Sequence, residues 1–298
     1  MRKTKGGVAY EERGSGFPFV ALHGYTLDRR MSLGAFEPLF DAEGRAALPP
    51  SAGAGRPEGG RSSRSYRRIY LDLPCMGESA DLEEASSDAM LAATLDAIGE
   101  LTGGGDFLLA GQSYGGYLAR GAARALGPRV AGLFLLCPAI VIRRALRDLP
   151  PPAVLRDEEG WAAGAAEEEI EGFKECSVAR TRYTFERTRA EILSGIGVAR
   201  MGLLERIISE GFAFSFDRPA AYPEGAFDAR FERPACFVLG RQDSTVGWKN
   251  ALALAGRYPR ASFHVLDSAG HNLQLEQAGL LASAFGAWIG ACEAWAGA

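Results

Sequence analysis

The chain has 298 residues, of which 47% are hydrophobic and 23% charged, so it is long enough for one large domain with a buried core. Its formal net charge is −4 and its pI is about 5.6, which argues against nucleic-acid binding, because such proteins normally carry a basic surplus. The basic N-terminus runs into acidic residues without an apolar segment, and no apolar run approaches the roughly 20 residues that span a bilayer. We therefore expect neither a signal peptide nor a membrane span.

Strands and helices alternate in the predicted order along the chain. Apolar runs predict buried strands over residues 17–22, 68–73, 107–110, 130–137, 235–239 and 261–266. Helical spacing of apolar residues predicts helices over residues 88–101, 117–126, 249–258 and 273–288. This alternation is typical of the α/β class, with a mostly parallel sheet and helices on both faces. Ligand sites in such sheets lie beyond the carboxyl ends of the strands.

Two segments interrupt the alternation. Residues 41–67 are rich in Gly, Ala, Ser, Pro and Arg, and we expect them to form a mobile loop inserted within the core. Residues 143–233 combine acidic, helix-favouring sequence with several aromatic residues, which predicts a mostly helical insertion packed over the sheet. The core then consists of residues 1–142 and 234–298.

The cysteines and acidic runs do not indicate a metal site. Five cysteines, an odd number, lie far apart at positions 75, 137, 176, 236 and 292, and this spacing fits neither a disulfide framework nor a metal cluster. The acidic run at residues 167–171 has no histidine near it and predicts a solvated helix face. We expect a reducing, cytoplasmic location, with no cofactor and no metal.

The segment Gly-Gln-Ser-Tyr-Gly at residues 111–115 fits the G-x-S-x-G pattern. An apolar run precedes it and a helix-like run follows it, which is the strand–turn–helix context that exposes a serine hydroxyl. Gly111 and Gly115 leave room for the sharp turn. We therefore predict Ser113 as a nucleophile.

A serine hydroxyl needs a base to remove its proton, and the chain has three histidines. His264 lies within a predicted strand and fits a structural role, whereas His23 precedes Gly24 at a strand end early in the chain. His271 lies in the loop between the last strand and the last helix, at the predicted ligand-binding edge. We predict His271 as the base.

The base needs an acidic acceptor that fixes its tautomer. Asp243 follows the penultimate strand and is the preferred candidate. Asp267 is the rival, but it lies only four residues before His271 on the same connection. The end of the strand at residues 130–137 has no acid.

The oxyanion of an acyl-transfer reaction needs two backbone donors. One is the N–H of Tyr114, which follows the nucleophile. The other comes from the loop Leu-His-Gly-Tyr-Thr at residues 22–26, which His23 and Gly24 support.

Together these segments resemble the α/β-hydrolase family, in the cap-bearing group of microbial esterases, cofactor-free haloperoxidase-like enzymes and carbon–carbon bond hydrolases. The matching motifs are LHGY at 22–25, DLPCMGES at 72–79, GQSYGG at 111–116, GRQD at 240–243 and AGH at 269–271. The order serine, aspartate, histidine along the chain is also that of the family.

The resemblance covers residues 8–40, 68–140 and 234–290, and it implies the α/β-hydrolase fold with a helical cap inserted over residues 143–233. It also implies that the amides of Tyr25 and Tyr114 form the oxyanion hole. Cys75 departs from the family pattern, which usually has glycine there.

The leading hypothesis is hydrolysis of a small carboxylic ester or thioester through an acyl-enzyme on Ser113. An alternative uses the same residues to cleave a carbon–carbon bond in a diketo acid of the ring-cleavage type, an anionic substrate for which Arg120, Arg182 and Arg189 are candidate partners. A third hypothesis is a non-catalytic small-molecule receptor. All three imply a small-molecule ligand, without nucleic acid or membrane, and none indicates an oligomeric state.

Overall fold

An eight-stranded sheet forms the centre of the computed structural model, which describes residues 1–49, 60–215 and 230–296. The described strands are β1 (Arg2–Lys3), β2 (Ala9–Arg13), β3 (Phe17–Leu22), β4 (Ala47–Leu48), β5 (Gly60–Arg61), β6 (Tyr66–Leu71), β7 (Phe107–Gln112), β8 (Val130–Leu136), β9 (Arg156–Asp157), β10 (Ala179–Arg180), β11 (Ala235–Gly240) and β12 (Ala261–Leu266). The order in the large sheet is β1-β2-β6-β3-β7-β8-β11-β12.

Helices connect most of these strands. The described helices are α1 (Arg29–Phe36), α2 (Ser87–Thr102), α3 (Tyr114–Leu126), α4 (Glu167–Lys174), α5 (Arg182–Thr188), α6 (Ser194–Ile196), α7 (Met201–Glu210), α8 (Lys249–Leu252), α9 (Leu273–Glu276) and α10 (Ala278–Ala296). None of these described helices is both long enough and apolar enough to cross a membrane.

The sheet is parallel from β6 to β12, and the antiparallel strands β1 and β2 lie at one edge. Strands β7 and β11 are buried along their whole length, which explains why they read as continuous apolar runs. The predicted α/β-hydrolase fold is therefore confirmed, and the carboxyl ends of the parallel strands share one edge of the sheet.

Aromatic side chains join the sheet to helices α1 and α10. Phe19 on β3 packs edge-on against Phe36 of α1 and Phe285 of α10, with each pair of ring centroids 5.7 Å apart. Phe134 on β8 packs against Phe285 at 5.3 Å. All four rings are almost fully buried. Such pairs contribute about 0.5–1.5 kcal/mol each beyond the burial of their area, so this cluster anchors both helices to the sheet.

Several elements differ from the predicted ranges; the helix predicted over residues 273–288, for example, is divided into α9 and α10, and α10 runs to Ala296. Strand β6 begins at Tyr66 rather than at residue 68, because Tyr66 and Arg67 pair with the first residues of β3; the Tyr66 hydroxyl also donates to Glu293 of α10 (3.1 Å). Helix α8 ends at Leu252 rather than at residue 258, and a 3₁₀ turn around Gly256 takes the place of its second half.

The described flanks of the segment 41–67 belong to the folded core. Strands β4 and β5 pair in antiparallel register, the Ser62 N–H donates to the Ala46 carbonyl (2.9 Å), and the Ala46 N–H donates to the Ser62 hydroxyl (2.9 Å). These bonds satisfy the polar groups of the backbone, so the flanks are not a free loop. The mobility predicted for residues 50–59 falls outside the described residues.

The described part of the segment 143–233 contains helices α4 to α7. Trp161, Phe173 and Phe185 form an apolar cluster there that is separate from the main core. The segment is also bonded to the core, since the Arg187 guanidinium donates to a backbone carbonyl of α1 (2.8 Å). A role of this segment as a cap stays a prediction.

Candidate active site

Ser113 lies in a sharp turn between β7 and α3. Its backbone has φ 54° and ψ −118°, a conformation that costs energy for a residue with a side chain and persists only where its surroundings enforce it. The Ser113 N–H donates to the Leu136 carbonyl (3.1 Å), and the Ser113 carbonyl accepts from the Ala139 N–H (2.9 Å). Because both partners belong to the end of β8 and the segment after it, the neighbouring strand fixes the turn.

Two glycines allow the backbone segments around this turn to approach one another. A Cβ atom at Gly115 would collide with the carbonyl oxygens of Leu22 and His23, and one at Gly111 would collide with the Gly115 carbonyl. A side chain at Gly115 would therefore push α3 away from the end of β3, and one at Gly111 would push the first turn of α3 away from β7. The predicted structural roles of Gly111 and Gly115 agree with this packing.

Side chains from three strand ends form a hydrogen-bonded chain. Nε2 of His271 lies 3.0 Å from Oγ of Ser113, and Nδ1 of the same ring lies 2.9 Å from Oδ2 of Asp243. The carboxylate can only accept, so it favours the tautomer with the proton on Nδ1 and leaves Nε2 free to accept from the hydroxyl. The structure thus brings the three predicted residues into bonding distance, an arrangement that can pass a proton from the serine to the imidazole.

The Asp243 carboxylate is buried but well supplied with donors. Its Oδ1 accepts from the backbone N–H groups of Thr245 (2.9 Å) and Val246 (3.0 Å). Burial alone would raise the pKa of Asp243, but the attraction and hydrogen bond of His271 and these two amides outweigh it and hold the pKa below its usual value. The acid is therefore ionised when it faces the imidazole.

The rival residues lie elsewhere. Asp267 is exposed and accepts from the side-chain amide of Gln242 (2.8 Å), and this bond is the main reason that its pKa is lowered. His264 is half-buried on β12, where burial lowers its pKa. Neither residue is bonded to the Asp243–His271–Ser113 chain within the described part of the protein.

Two backbone amides are available beside the serine. Tyr114 is the first residue of α3, so its N–H has no acceptor within the helix. A Cβ atom at Gly24 would lie 3.3 Å from the Cβ of Ser113, which places the next residue, Tyr25, close to the hydroxyl. Neither amide donates to another residue that the structure describes. Both can therefore donate to a bound ligand.

His23 supports this loop as a buried, neutral ring. Its Nε2 accepts from the Leu73 N–H (2.9 Å), so the proton lies on Nδ1, which donates to the Gly24 carbonyl (2.7 Å). Burial lowers the pKa of His23, against the opposing effect of Asp72. The ring thus joins the loop after β3 to the loop after β6.

Glu276 is a contributor that the sequence reasoning missed. Its buried carboxylate accepts from the N–H groups of Gly270 (2.6 Å), Val178 (2.6 Å) and Ala179 (3.1 Å), and so ties the residue before His271 to the inserted segment. Burial raises its pKa despite these three bonds. A glutamate at the start of an apolar helix gives no signal of this role in the sequence.

The chemistry of the donors argues against a metal at this position. One ligand atom each from Cys137, Asp243 and His271 lie within 4.8 Å of one another. However, burial raises the pKa of the Cys137 thiol well above its usual value, whereas metal ligation needs the thiolate. Asp243 and His271 are already bonded to each other, so the set fits proton transfer better than metal binding.

A cavity of about 670 Å³ opens on Ser113. Tyr25, Tyr114 and Phe212 provide aromatic surface, and the Tyr25–Tyr114 and Tyr114–Phe212 ring centroids are 4.8 and 5.4 Å apart. The Tyr25 hydroxyl donates to the carbonyl of Leu204 in α7 (2.7 Å). The inserted segment therefore forms part of the cavity and contacts the predicted oxyanion loop.

The arginines that the sequence suggested for an anionic substrate do not line this cavity. Arg120 is buried in α3 and donates to the Ala139 carbonyl (3.4 Å). Arg182 and Arg189 are exposed and paired with Glu186 (2.5 Å) and Glu169 (2.9 Å), respectively. None of the three is therefore placed to contact a substrate in this cavity, Arg120 because it is buried in α3 and the other two because they lie elsewhere on the inserted segment.

Comparison with known proteins identifies the family. A sequence profile described as "Alpha/beta hydrolase family" matches residues 19–284, which is most of the chain. No curated protein sequence matches the chain significantly.

Solved structures agree with this assignment. An alpha/beta superfamily hydrolase from Oenococcus oeni shares 26% identity over 98% of both chains, with a TM-score of 0.83. A thermophilic esterase from Thermogutta terrifontis shares 23% identity over 96% of this chain and 93% of its own, with a TM-score of 0.61. A bromoperoxidase from Bacillus anthracis shares 17% identity over 95% of both chains, with a TM-score of 0.64. At these identities the latter two show the shared fold.

The buried state of His23 predicts a pH dependence of stability. Its pKa is lowered in the folded protein, so below about pH 6.5 the unfolded chain binds more protons than the folded one. The free energy of unfolding should therefore fall as the pH is lowered from 7 to 5, by up to about 1.4 kcal/mol per pH unit for this one proton. Urea unfolding at each pH measures it.

In the variant His23→Gln, the free energy of unfolding should depend less steeply on pH. The glutamine amide can still accept one hydrogen bond and donate another, but it does not titrate. His264→Gln is the matched control and should change the slope less, because that ring is only half-buried. A wild-type slope that persists in His23→Gln would contradict the assignment.

Proposed function

Because this chain belongs to the alpha/beta hydrolase family, we propose that it is a serine hydrolase that cleaves a small carboxylic ester or thioester through an acyl-enzyme on Ser113. The observation that carries the proposal is the hydrogen-bonded chain from Asp243 through His271 to Ser113. Its geometry matches the nucleophile, base and orienting acid that acyl transfer requires.

The first half of the reaction forms the acyl-enzyme. Nε2 of His271 takes the hydroxyl proton while Oγ of Ser113 bonds to the carbonyl carbon, and the carbonyl π electrons move onto its oxygen. Collapse of this tetrahedral intermediate breaks the bond to the leaving alkoxide or thiolate, which receives the proton from His271. The ionised Asp243 stabilises the imidazolium in the interval.

The second half repeats these steps with water. His271 takes a proton from a water molecule, the hydroxide adds to the acyl carbon, and the bond to Oγ of Ser113 breaks as the serine regains its proton. In both halves the developing oxyanion accepts from the amides of Tyr25 and Tyr114. Loss of one such donor typically costs about 10²- to 10³-fold in rate, so the position of the loop after β3 matters to the chemistry.

Covalent labelling tests the nucleophile. A fluorophosphonate probe should add one label, at Ser113, and the purified protein should turn over short p-nitrophenyl esters. The variant Ser113→Ala should not be labelled. Its turnover rate should be at least about 10³-fold lower than that of the wild type, because it lacks the hydroxyl that forms the acyl-enzyme. Peptide mass spectrometry and the release of p-nitrophenol measure the two effects.

Ser244→Ala provides a control for general effects of serine removal, since that side chain is not part of the hydrogen-bonded chain. A label on another peptide, with the peptide that contains Ser113 unmodified, would contradict the proposal. Labelling without any ester turnover would favour a receptor over an enzyme.

A pair of aspartate variants tests the acid. Asp243→Asn should lower the turnover rate roughly 10³- to 10⁴-fold, because the amide disturbs the tautomer of His271 without changing the size of the side chain. Asp267→Asn makes the same chemical change on an exposed residue and should cost less than about threefold. Initial rates with p-nitrophenyl acetate give the ratio of the two losses.

Both variants must retain the thermal transition and circular dichroism of the wild type. If Asp267→Asn proves the more damaging of the two, Asp243 does not act on His271 in the reaction.

A further inference from the structure

Three arginines lie on the wall of the cavity that opens on Ser113. Arg143, Arg144 and Arg147 come from the beginning of the inserted segment, shortly after β8. Among the described residues that line this cavity, none is acidic. The described lining therefore carries an unbalanced positive charge beside the proposed nucleophile.

Arg147 is held by backbone carbonyls rather than by a carboxylate. Its guanidinium donates to the carbonyls of Val141 (2.7 Å), Ile142 (2.9 Å) and Thr245 (2.8 Å). These bonds join the segment after β8 to the loop after β11, which also contains Asp243. Arg147 thus fixes the path of its own segment and places a half-buried charge at the cavity wall.

Arg143 and Arg144 are exposed to the cavity and have few partners. The guanidinium of Arg144 donates to the Ser244 carbonyl at 3.5 Å, a long contact, and neither residue forms an ion pair with any acid that the structure describes. Both guanidinium groups therefore keep most of their hydrogen-bonding capacity for a ligand.

Two arginines of the core with little solvent exposure are paired with carboxylates. Arg29 contacts the carboxylate of Asp72 at 2.6 Å, and Arg68 contacts that of Glu37 at 2.7 Å. Exposed arginines elsewhere, such as Arg241 and Arg260, contact aromatic rings and likewise form no ion pair with a described acid. What distinguishes Arg143 and Arg144 is therefore their position on the wall of the cavity that opens on Ser113.

The electrostatic environment of Arg147 points the same way. Burial lowers its pKa, and the positive charge of Arg144 lowers it further, against the weaker effect of Asp243. Like charges held close together in a partly buried place repel one another. A bound anion would relieve this repulsion.

The arginines are within reach of a small substrate that is bonded to Ser113. The Ala139 N–H donates to the Ser113 carbonyl. Arg143 follows Ala139 by four residues, so the α-carbons of Ala139 and Arg143 are at most about 14 Å apart. An arginine side chain spans roughly half of that distance. The remaining lining is mostly apolar, with Phe212 and Ile208 among its residues, and suits a short aliphatic chain.

We propose that the substrate is an ester that carries an ionised carboxylate several carbons from the scissile bond, and that Arg143 and Arg144 bind this carboxylate. The inference rests on the proposed function. The planar fork of a guanidinium matches a carboxylate with two parallel hydrogen bonds, and an apolar chain between the two ends would lie along the apolar part of the cavity.

Three esters of equal chain length test the inference. Mono-p-nitrophenyl adipate ends in a carboxylate, p-nitrophenyl hexanoate in a methyl group and p-nitrophenyl 6-aminohexanoate in an ammonium group. For the wild type, kcat/KM should fall in that order, with the adipate about tenfold or more above the hexanoate. Added NaCl should reduce this ratio, because the two arginines are exposed to solvent.

The double variant Arg143→Gln/Arg144→Gln should lower the ratio of adipate to hexanoate about tenfold, mainly through a higher KM for the adipate. The matched control is Arg182→Gln/Arg189→Gln, which makes the same change in net charge at two exposed arginines outside the cavity and should leave the ratio unchanged. Thermal melting verifies that both variants fold.

The outcomes separate this inference from the proposed function. Turnover of the hexanoate with no preference for the adipate would overturn the inference while the serine hydrolase remains. A preference that survives in Arg143→Gln/Arg144→Gln, or is lost equally in the control, would also overturn it. No turnover of any ester, together with an unlabelled Ser113, would overturn both.

Discussion

The strained backbone at Ser113 is the constraint on which the rest of the site depends. A side chain at φ 54° is tolerated because bonds to Leu136 and Ala139 hold both sides of the peptide, and because two glycines let α3 approach the end of β3. The strain projects the hydroxyl out of the sheet edge. The same packing brings the loop after β3 beside the serine, so the amides of Tyr25 and Tyr114 lie near the hydroxyl without any further adjustment.

Buried polar groups hold the other parts of this edge in position. Asp243 is buried and ionised because two amides and an imidazole face it, His23 is buried and neutral because both ring nitrogens are bonded, and Glu276 bonds to three backbone amides. Each would be costly to bury without its partners. The proposed transfer of a proton from Ser113 to His271, beside an ionised Asp243, would therefore take place among groups that do not need to reorganise.

The fold and the grouping of Ser113, Asp243 and His271 could be predicted from the sequence because each residue lies in the turn or loop that follows an apolar run. In a parallel sheet, that position determines which edge a residue occupies. Arg143, Arg144 and Glu276 could not be placed in this way, since their contacts depend on the path of the inserted segment, which has no simple period. The same limit applies to Arg182 and Arg189, which do not line the cavity, whereas Arg120 lies in α3 and is buried there. At Cys75 the sequence showed only a departure from the glycine of the family pattern, and the structure adds that this residue has φ 65°.

The hydrogen bond between His271 and Asp243 can be observed directly by NMR of protein labelled with ¹⁵N in its three histidines, with His23→Gln and His264→Gln used to assign the signals. Nδ1 of His271 should carry the proton, and this proton should resonate far downfield. The signal should disappear in Asp243→Asn and persist in Asp267→Asn. A proton on Nε2 of His271, or an Nδ1 proton signal that is unchanged in Asp243→Asn, would contradict the central claim that Asp243 orients the base toward Ser113.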